Sequence, residues 1–174
     1  DLGHDVPTSY FAICDMAYPT RVNYKGLLAI DENKAVEHVK EAYHAVQHIT
    51  AIFDNTLSRV DDCEVKMGDA NAENYSIFTY RSKSDGGVVT GWRNTDRPGD
   101  NPAVEKIDLT ISGLKLEQPV LVDLVSGRVY AAESKLVGRT GEAICIRDVP
   151  VYDAVVVLAD RSVIAKLLQK AGKQ

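Results

Sequence analysis

The side chains best suited to chemistry are few and widely spaced. Trp92 is the only tryptophan, and it stands in VVTGWRN directly before a polar stretch, residues 94–102, NTDRPGDNP. An exposed indole beside hydrogen-bonding groups is a natural platform for a pyranose ring. Asp96 and Arg97, with Asp100 and Asn101, would supply those groups, or oxygen ligands for a calcium ion. Their spacing matches no EF-hand loop, so a hydrogen-bonded Ω-type loop is the plainer expectation. Core filling is the corresponding plain expectation for a lone Trp in an alternating strand. Asp15 closes the apolar run TSYFAICDM. A carboxylate there can bridge two neighbouring hydroxyls of a sugar, or it can cap the strand end and anchor the loop that follows. Tyr18, Asn23 and Tyr24 in that loop offer stacking and hydrogen bonding to the same ring.

His44 and His48 stand four apart at a helical spacing that puts both imidazoles on one face. Ala45 occupies the position where an HExxH site needs its glutamate, and no third ligand is evident, so a solvated or interdomain helix face is the expectation and no metal is predicted. Cys14, Cys63 and Cys145 lie far apart without CxxC spacing, which excludes a zinc ribbon or a thioredoxin-type pair and reads as three small core side chains. Asn74-Tyr75-Ser76 matches a glycosylation sequon, a motif too common to carry weight. With no Gly-rich phosphate loop, no GxSxG elbow and no Cys–His signature, nucleotide binding and acyl-enzyme chemistry have no foothold.

Composition narrows the class. The chain has 174 residues, 45% apolar and 26% charged, the make-up of an ordinary folded domain rather than a disordered or fibrous chain. Its 25 acidic and 20 basic residues leave a net charge of −5, which opposes general affinity for nucleic acid or anionic membrane. No stretch reaches the ~18 consecutive apolar residues of a membrane span. The start at Asp1-Leu2-Gly3, without Met, suggests a processed or excised piece of something longer.

The elements that would position these groups fall into two parts. Residues 8–16 read as a strand buried on both faces, as in a parallel sheet. Val39, Ala42, Tyr43, Val46, Ile49 and Phe53 then recur at spacings of three and four, which predicts a helix over 39–53. From about residue 56 the period changes to two, broken by turn signals such as Ser84-Asp85-Gly86-Gly87 and Ser126-Gly127. Strands are expected near 58–67, 74–82, 87–93, 104–112, 119–125, 128–132, 142–148 and 151–159, and that number and spacing predict an antiparallel β-sandwich over 56–174. The tail from Val163 has helical spacing, though a final strand fits it as well.

SYFAICDM, then Tyr24-Lys25-Gly26-Leu27-Leu28, then Lys40-Glu41-Ala42-Tyr43-His44-Ala45 resembles the end of a (β/α)8-barrel glycoside hydrolase. In that family the eighth strand ends at the active-site rim, a loop carries an aromatic-x-Gly-Leu-Leu sequence, and the last helix carries Lys-Pro-x-Tyr-x-Ala. Here Glu41 replaces the proline. Many members continue into a C-terminal β-sandwich whose last strand is similar to VPVYDAVVVLAD, residues 149–160. The resemblance implies that residues 1–55 are the terminal βα unit of a barrel and 56–174 its supporting sandwich. It also implies that Asp15 points toward substrate, that carbohydrate is the ligand of the whole protein, that no cofactor is needed, and that the protein is secreted or periplasmic. Retaining members use two glutamates, ending the fourth and seventh strands and held roughly 5 Å apart across the bond. Both would precede this chain, so the chain alone is expected to hydrolyse nothing. A terminal strand without its barrel neighbours would favour a homodimer, swapping, or association with the missing barrel. A free-standing carbohydrate-binding module built on Trp92 and the 94–102 loop is the alternative.

Overall fold

A computed structural model describes residues 4, 7–10, 12–54, 56–83, 86–94 and 103–165. Two small antiparallel hairpins come first, β1 (Met16–Tyr18) with β2 (Arg21–Asn23) and β3 (Leu28–Ile30) with β4 (Val36–Val39). Helix α1 (Glu41–Ile52) follows. Ten strands complete the order: β5 (Leu57–Val60), β6 (Glu64–Lys66), β7 (Tyr75–Ser82), β8 (Gly87–Arg93), β9 (Glu105–Ser112), β10 (Pro119–Asp123), β11 (Val129–Ala131), β12 (Val137–Thr140), β13 (Ala143–Val151) and β14 (Val156–Asp160). They form a six-stranded sheet, β11-β10-β14-β8-β7-β5, and a four-stranded sheet, β12-β13-β9-β6. Every pairing within them is antiparallel. The chain is mainly β, in the arrangement of a β-sandwich, as the period-two pattern predicts.

Alternation along single strands explains the layering. On β14, Leu158 belongs to the core shared with the four-stranded sheet, where Ile107, Leu109, Ile111, Ile144 and Ile146 are also buried. Its neighbours Val157 and Ala159 belong to a second core on the opposite face, with Tyr80, Val88, Val120 and Val122. Ile52 of α1 and Ile164, in the helical turn of residues 161–165, close that second core. The six-stranded sheet is therefore apolar on both sides, which is why VVLAD reads as an unbroken apolar run. Within the four-stranded sheet, the register slips between Ile146 and Val149, where Asp148 takes a positive φ of 55°. Its N–H donates to Asp108 Oδ1 at 3.0 Å. This bulge lets β13 run on past Pro150, beyond the reach of β12, where a missing N–H is tolerated.

Several elements differ from their sequence-based expectations. The run 58–67 is two strands in different sheets, broken at the corner Asp61-Asp62-Cys63. Val39, where the expected helix begins, is the last residue of β4, and α1 starts at Glu41. The run at 8–16 is not a strand with two partners: among its described residues Cys14 makes a parallel bridge to Leu28 and Met16, at its end, opens β1 opposite Asn23, while Tyr10 and Ile13 are 50% and 66% exposed. An apolar run alone does not provide neighbours, and the described residues give this one only half of a ladder. The turn at Ser84-Asp85 and most of the 94–102 loop lie outside the described residues. Among the described residues no helix is long and apolar enough to cross a membrane.

Asp160 ends β14 and starts the last helical turn. Its Oδ1 accepts from the Ser162 amide and hydroxyl, and its Oδ2 from the Gln118 amide at 2.9 Å. Burial by itself raises the carboxyl pKa, but these donors prevail and hold it below the usual carboxylate range. A depressed folded value means the stabilisation is complete above the unfolded pKa and is lost as pH falls through the folded one. The gap in unfolding free energy between wild type and Asp160→Asn should therefore be widest near neutrality and close below about pH 4, as urea denaturation across that range would report.

Candidate functional site

The N-terminal candidates gather around one buried carboxylate. Asp15 is 5% exposed. Its Oδ1 accepts from Lys40 Nζ at 2.6 Å and from the Gly26 amide at 2.9 Å. Lys40, which stands at the N-cap of α1, also donates to the Tyr24 carbonyl at 2.9 Å, and its backbone N–H donates to the Leu27 carbonyl. One ion pair thus ties the end of the apolar run, the loop and the start of the helix. The loop must pass within touching distance of Asp15, and only glycine permits it: a Cβ on Gly26 would lie 2.2 Å from the Asp15 nitrogen and from the Cys14 carbonyl carbon. In this chain Asp15 is therefore an anchor, with its bonding satisfied internally.

The neighbouring candidates are arranged around that anchor without converging on a pocket. Asn23 Oδ1 accepts from the Lys25 amide at 3.1 Å and shapes the turn. Tyr24 is 73% exposed with Lys40 Nζ 6.0 Å from its ring centre. Tyr18 is exposed on β1, with the Arg21 guanidinium 5.7 Å from its ring centre. Lys40, the residue that organises the group, entered the sequence reading only as the start of the Lys40–Ala45 stretch, with nothing to mark it as the partner of Asp15.

Trp92 lies on β8 opposite Ser76 of β7, on the face of the six-stranded sheet that α1 covers. It is half-buried, with its ring centre 5.5 Å from that of Phe78. Beside it, a cavity of about 380 Å3 opens between the sheet and α1, walled by Val46, Ile49 and Phe53 of the helix, Tyr80 and Trp92 of the sheet, and Tyr10. The indole is neither core filler nor an open platform; it is one wall of a mainly apolar space. Asp96 and Arg97 lie outside the described residues.

His44 and His48 share a helix face with ring centres 6.5 Å apart, but they serve different ends. His48 Nδ1 lies 2.6 Å from the Leu124 carbonyl, a contact that requires the proton on that nitrogen. The imidazole also lies against Gly127, where φ is 69° and a Cβ would sit 2.5 Å from Nε2. The helix is thereby keyed to the turn joining β10 and β11, while His44 is exposed. Among the described residues no three His, Cys, Asp or Glu side chains come together as a metal site.

Two polar clusters escape the sequence. Tyr75 donates its hydroxyl to Glu105, which also pairs with Arg93 at 3.1 Å; the hydrogen bond to that carboxylate, aided by burial, raises the Tyr75 pKa. At the corner between the sheets, the Arg81 guanidinium bonds both Asp62 oxygens, at 3.0 and 3.1 Å, and the Gly113 carbonyl at 2.9 Å, which holds the Asp62 carboxyl below its usual range. The Cys63 thiol there is 3.2 Å from the same carbonyl, and burial pushes its pKa up. Neither cluster has the depressed thiol or poised base of a catalytic group. All three cysteines are free.

Compared with models of known protein families and with curated proteins, the chain matches none.

Lys40→Met would leave Asp15 buried with a single amide donor. A loss of about 2–4 kcal/mol is expected, measured by chemical denaturation. The double variant Asp15→Asn, Lys40→Met should recover part of it, because no charge is then stranded.

Proposed function

We propose that this chain is the C-terminal part of a glycoside hydrolase-like protein. On this reading residues 1–55 are the closing strand, loop and helix of a (β/α)8 barrel, and the sandwich beyond them braces that barrel without carrying its catalytic carboxylates. One observation carries the reading. Of the ten large apolar side chains that stand exposed among the described residues, seven belong to residues 10–39, Ile13, Tyr24 and Val36 among them. Scattered singly, such residues need no explanation; concentrated on one short segment, they mark a surface that another body covers. That segment precedes α1, whose other side is packed on the sandwich through Ile49, Ile52 and Phe53.

The Asp15–Lys40 pair supports the same reading from the side of rigidity. A segment destined to dock has to hold its shape, and the buried ion pair fixes the relative positions of residues 15, 26 and 40 before any partner arrives. Carbohydrate, on this view, meets the barrel, and export to the periplasm or the medium goes with the family resemblance. The alternative of a free-standing carbohydrate-binding module has less behind it: Phe78 lies against Trp92 and the space beside the indole is mainly apolar, whereas pyranose rings require several hydrogen-bond partners around the platform.

The coding sequence upstream of Asp1 decides the matter. Seven βα units with glutamates ending the fourth and seventh strands are expected, and an unrelated domain or a start codon in that place would sink the reading. The exposed face has its own test. Light scattering of the chain alone should show self-association that rises with concentration, and Ile13→Ser combined with Val36→Ser should weaken it severalfold; a strictly monomeric chain would leave the face without a partner to wait for.

A further inference from the structure

The space between α1 and the six-stranded sheet is built like a ligand site. Its volume of about 380 Å3 falls in the range of small-molecule pockets, roughly 300–1,000 Å3. Aromatic rings come at it from three directions: Phe53 from the helix, Tyr80 and Trp92 from the sheet, and Tyr10 from the N-terminal segment. None of the described residues lining it carries a charge. Thr8, Tyr10, Thr50, Tyr80, Thr90 and Trp92 each carry a polar side-chain atom, yet the surface turned to the space is mainly apolar. The Thr50 hydroxyl donates within its own helix to the Val46 carbonyl at 2.8 Å, and the Tyr10 hydroxyl donates to the Lys25 carbonyl at 3.3 Å.

These features select a chemistry. Water in such a space meets few partners, so its displacement by apolar surface is favourable. A carboxylate or ammonium ligand would lose its hydration and find no counter-charge, and a sugar would leave most of its hydroxyls unpaired. We propose that this cavity binds a neutral, compact, mainly apolar ring compound, seated against Trp92 and Phe53. The proposal does not depend on a barrel docking elsewhere on the chain.

Because Trp92 is the sole tryptophan, the protein reports on the cavity through its own emission. Menthol, a neutral alicyclic alcohol that does not absorb where the indole is excited, serves as the probe, with glucose and octanoate as the polar and anionic comparisons. Menthol should shift the emission saturably, and calorimetry should give the same affinity. Val46→Phe fills the space from the helix and should weaken binding roughly tenfold or more. Thr50→Phe reaches the same space from a more exposed helix position and replaces it should the first variant fail to fold by circular dichroism. No saturable response to menthol in the wild type would overturn the proposal, as would an undiminished response in a folded filled variant. Saturable binding of glucose or octanoate with equal affinity would overturn the chemistry assigned to the site.

Discussion

The fold is governed by a sheet that is apolar on both faces. Val88 and Val89, or Val157 and Leu158, are adjacent residues buried on opposite sides of one layer, so neither face can be left to water. The four-stranded sheet covers one. The other is covered by α1 and the helical turn at 161–165, which makes the helix a structural layer rather than an appendage. At about 25 cal/mol per Å2 of apolar surface removed from water, uncovering either face would be costly. This constraint also explains why the helix is keyed twice, at its start through Lys40 to Asp15 and near its end through His48 to the Leu124 carbonyl.

The two candidate regions follow from the same layering. The Asp15–Lys40 anchor lies at the N-terminal end of α1, where the chain enters the helix from a segment rich in exposed apolar side chains. The cavity beside Trp92 lies along the helix, where side chains of α1 and of the sheet fail to interdigitate fully. One region is rigid and outward-facing; the other is recessed and lined by rings. The first is held together by an ion pair, the second by apolar contact.

Sequence patterning made the sandwich legible and the N-terminal part much less so. Strands β7, β8, β9 and β10 alternate clearly, because each has one face in each core or one face in solvent. β12 was hidden because VGRT has a single apolar position and its partner β13 supplies the burial. The bulge at Asp148 and Pro150 made β13 read as ending at residue 148 and the next strand as starting at 151, whereas β13 runs to Val151 and β14 begins at Val156; the corner at Asp61-Asp62-Cys63 made two strands read as one. An uninterrupted apolar run correctly marks double-sided burial at residues 156–160, yet at 8–16 the same signal accompanies exposed Tyr10 and Ile13, because burial depends on partners that periodicity does not encode. Asp15 stood out by its position at the end of that run. Its role became clear only through Lys40, 25 residues away, a distance over which spacing rules are silent. Trp92 could be read as core or platform, and it is neither, because the layer above it is incomplete and leaves the indole as a cavity wall.

The corner between β5 and β6 carries a mechanical implication. There the chain passes from the six-stranded layer to the four-stranded one, and the Arg81 guanidinium rivets that crossing by holding Asp62 and the Gly113 carbonyl together. Among the described strands it is one of six such crossings, and the link from β11 to β12 joins the layers at the opposite margin. The two sheets are therefore laced at both edges, so that sliding of one past the other is resisted by the backbone itself and not by side-chain packing alone.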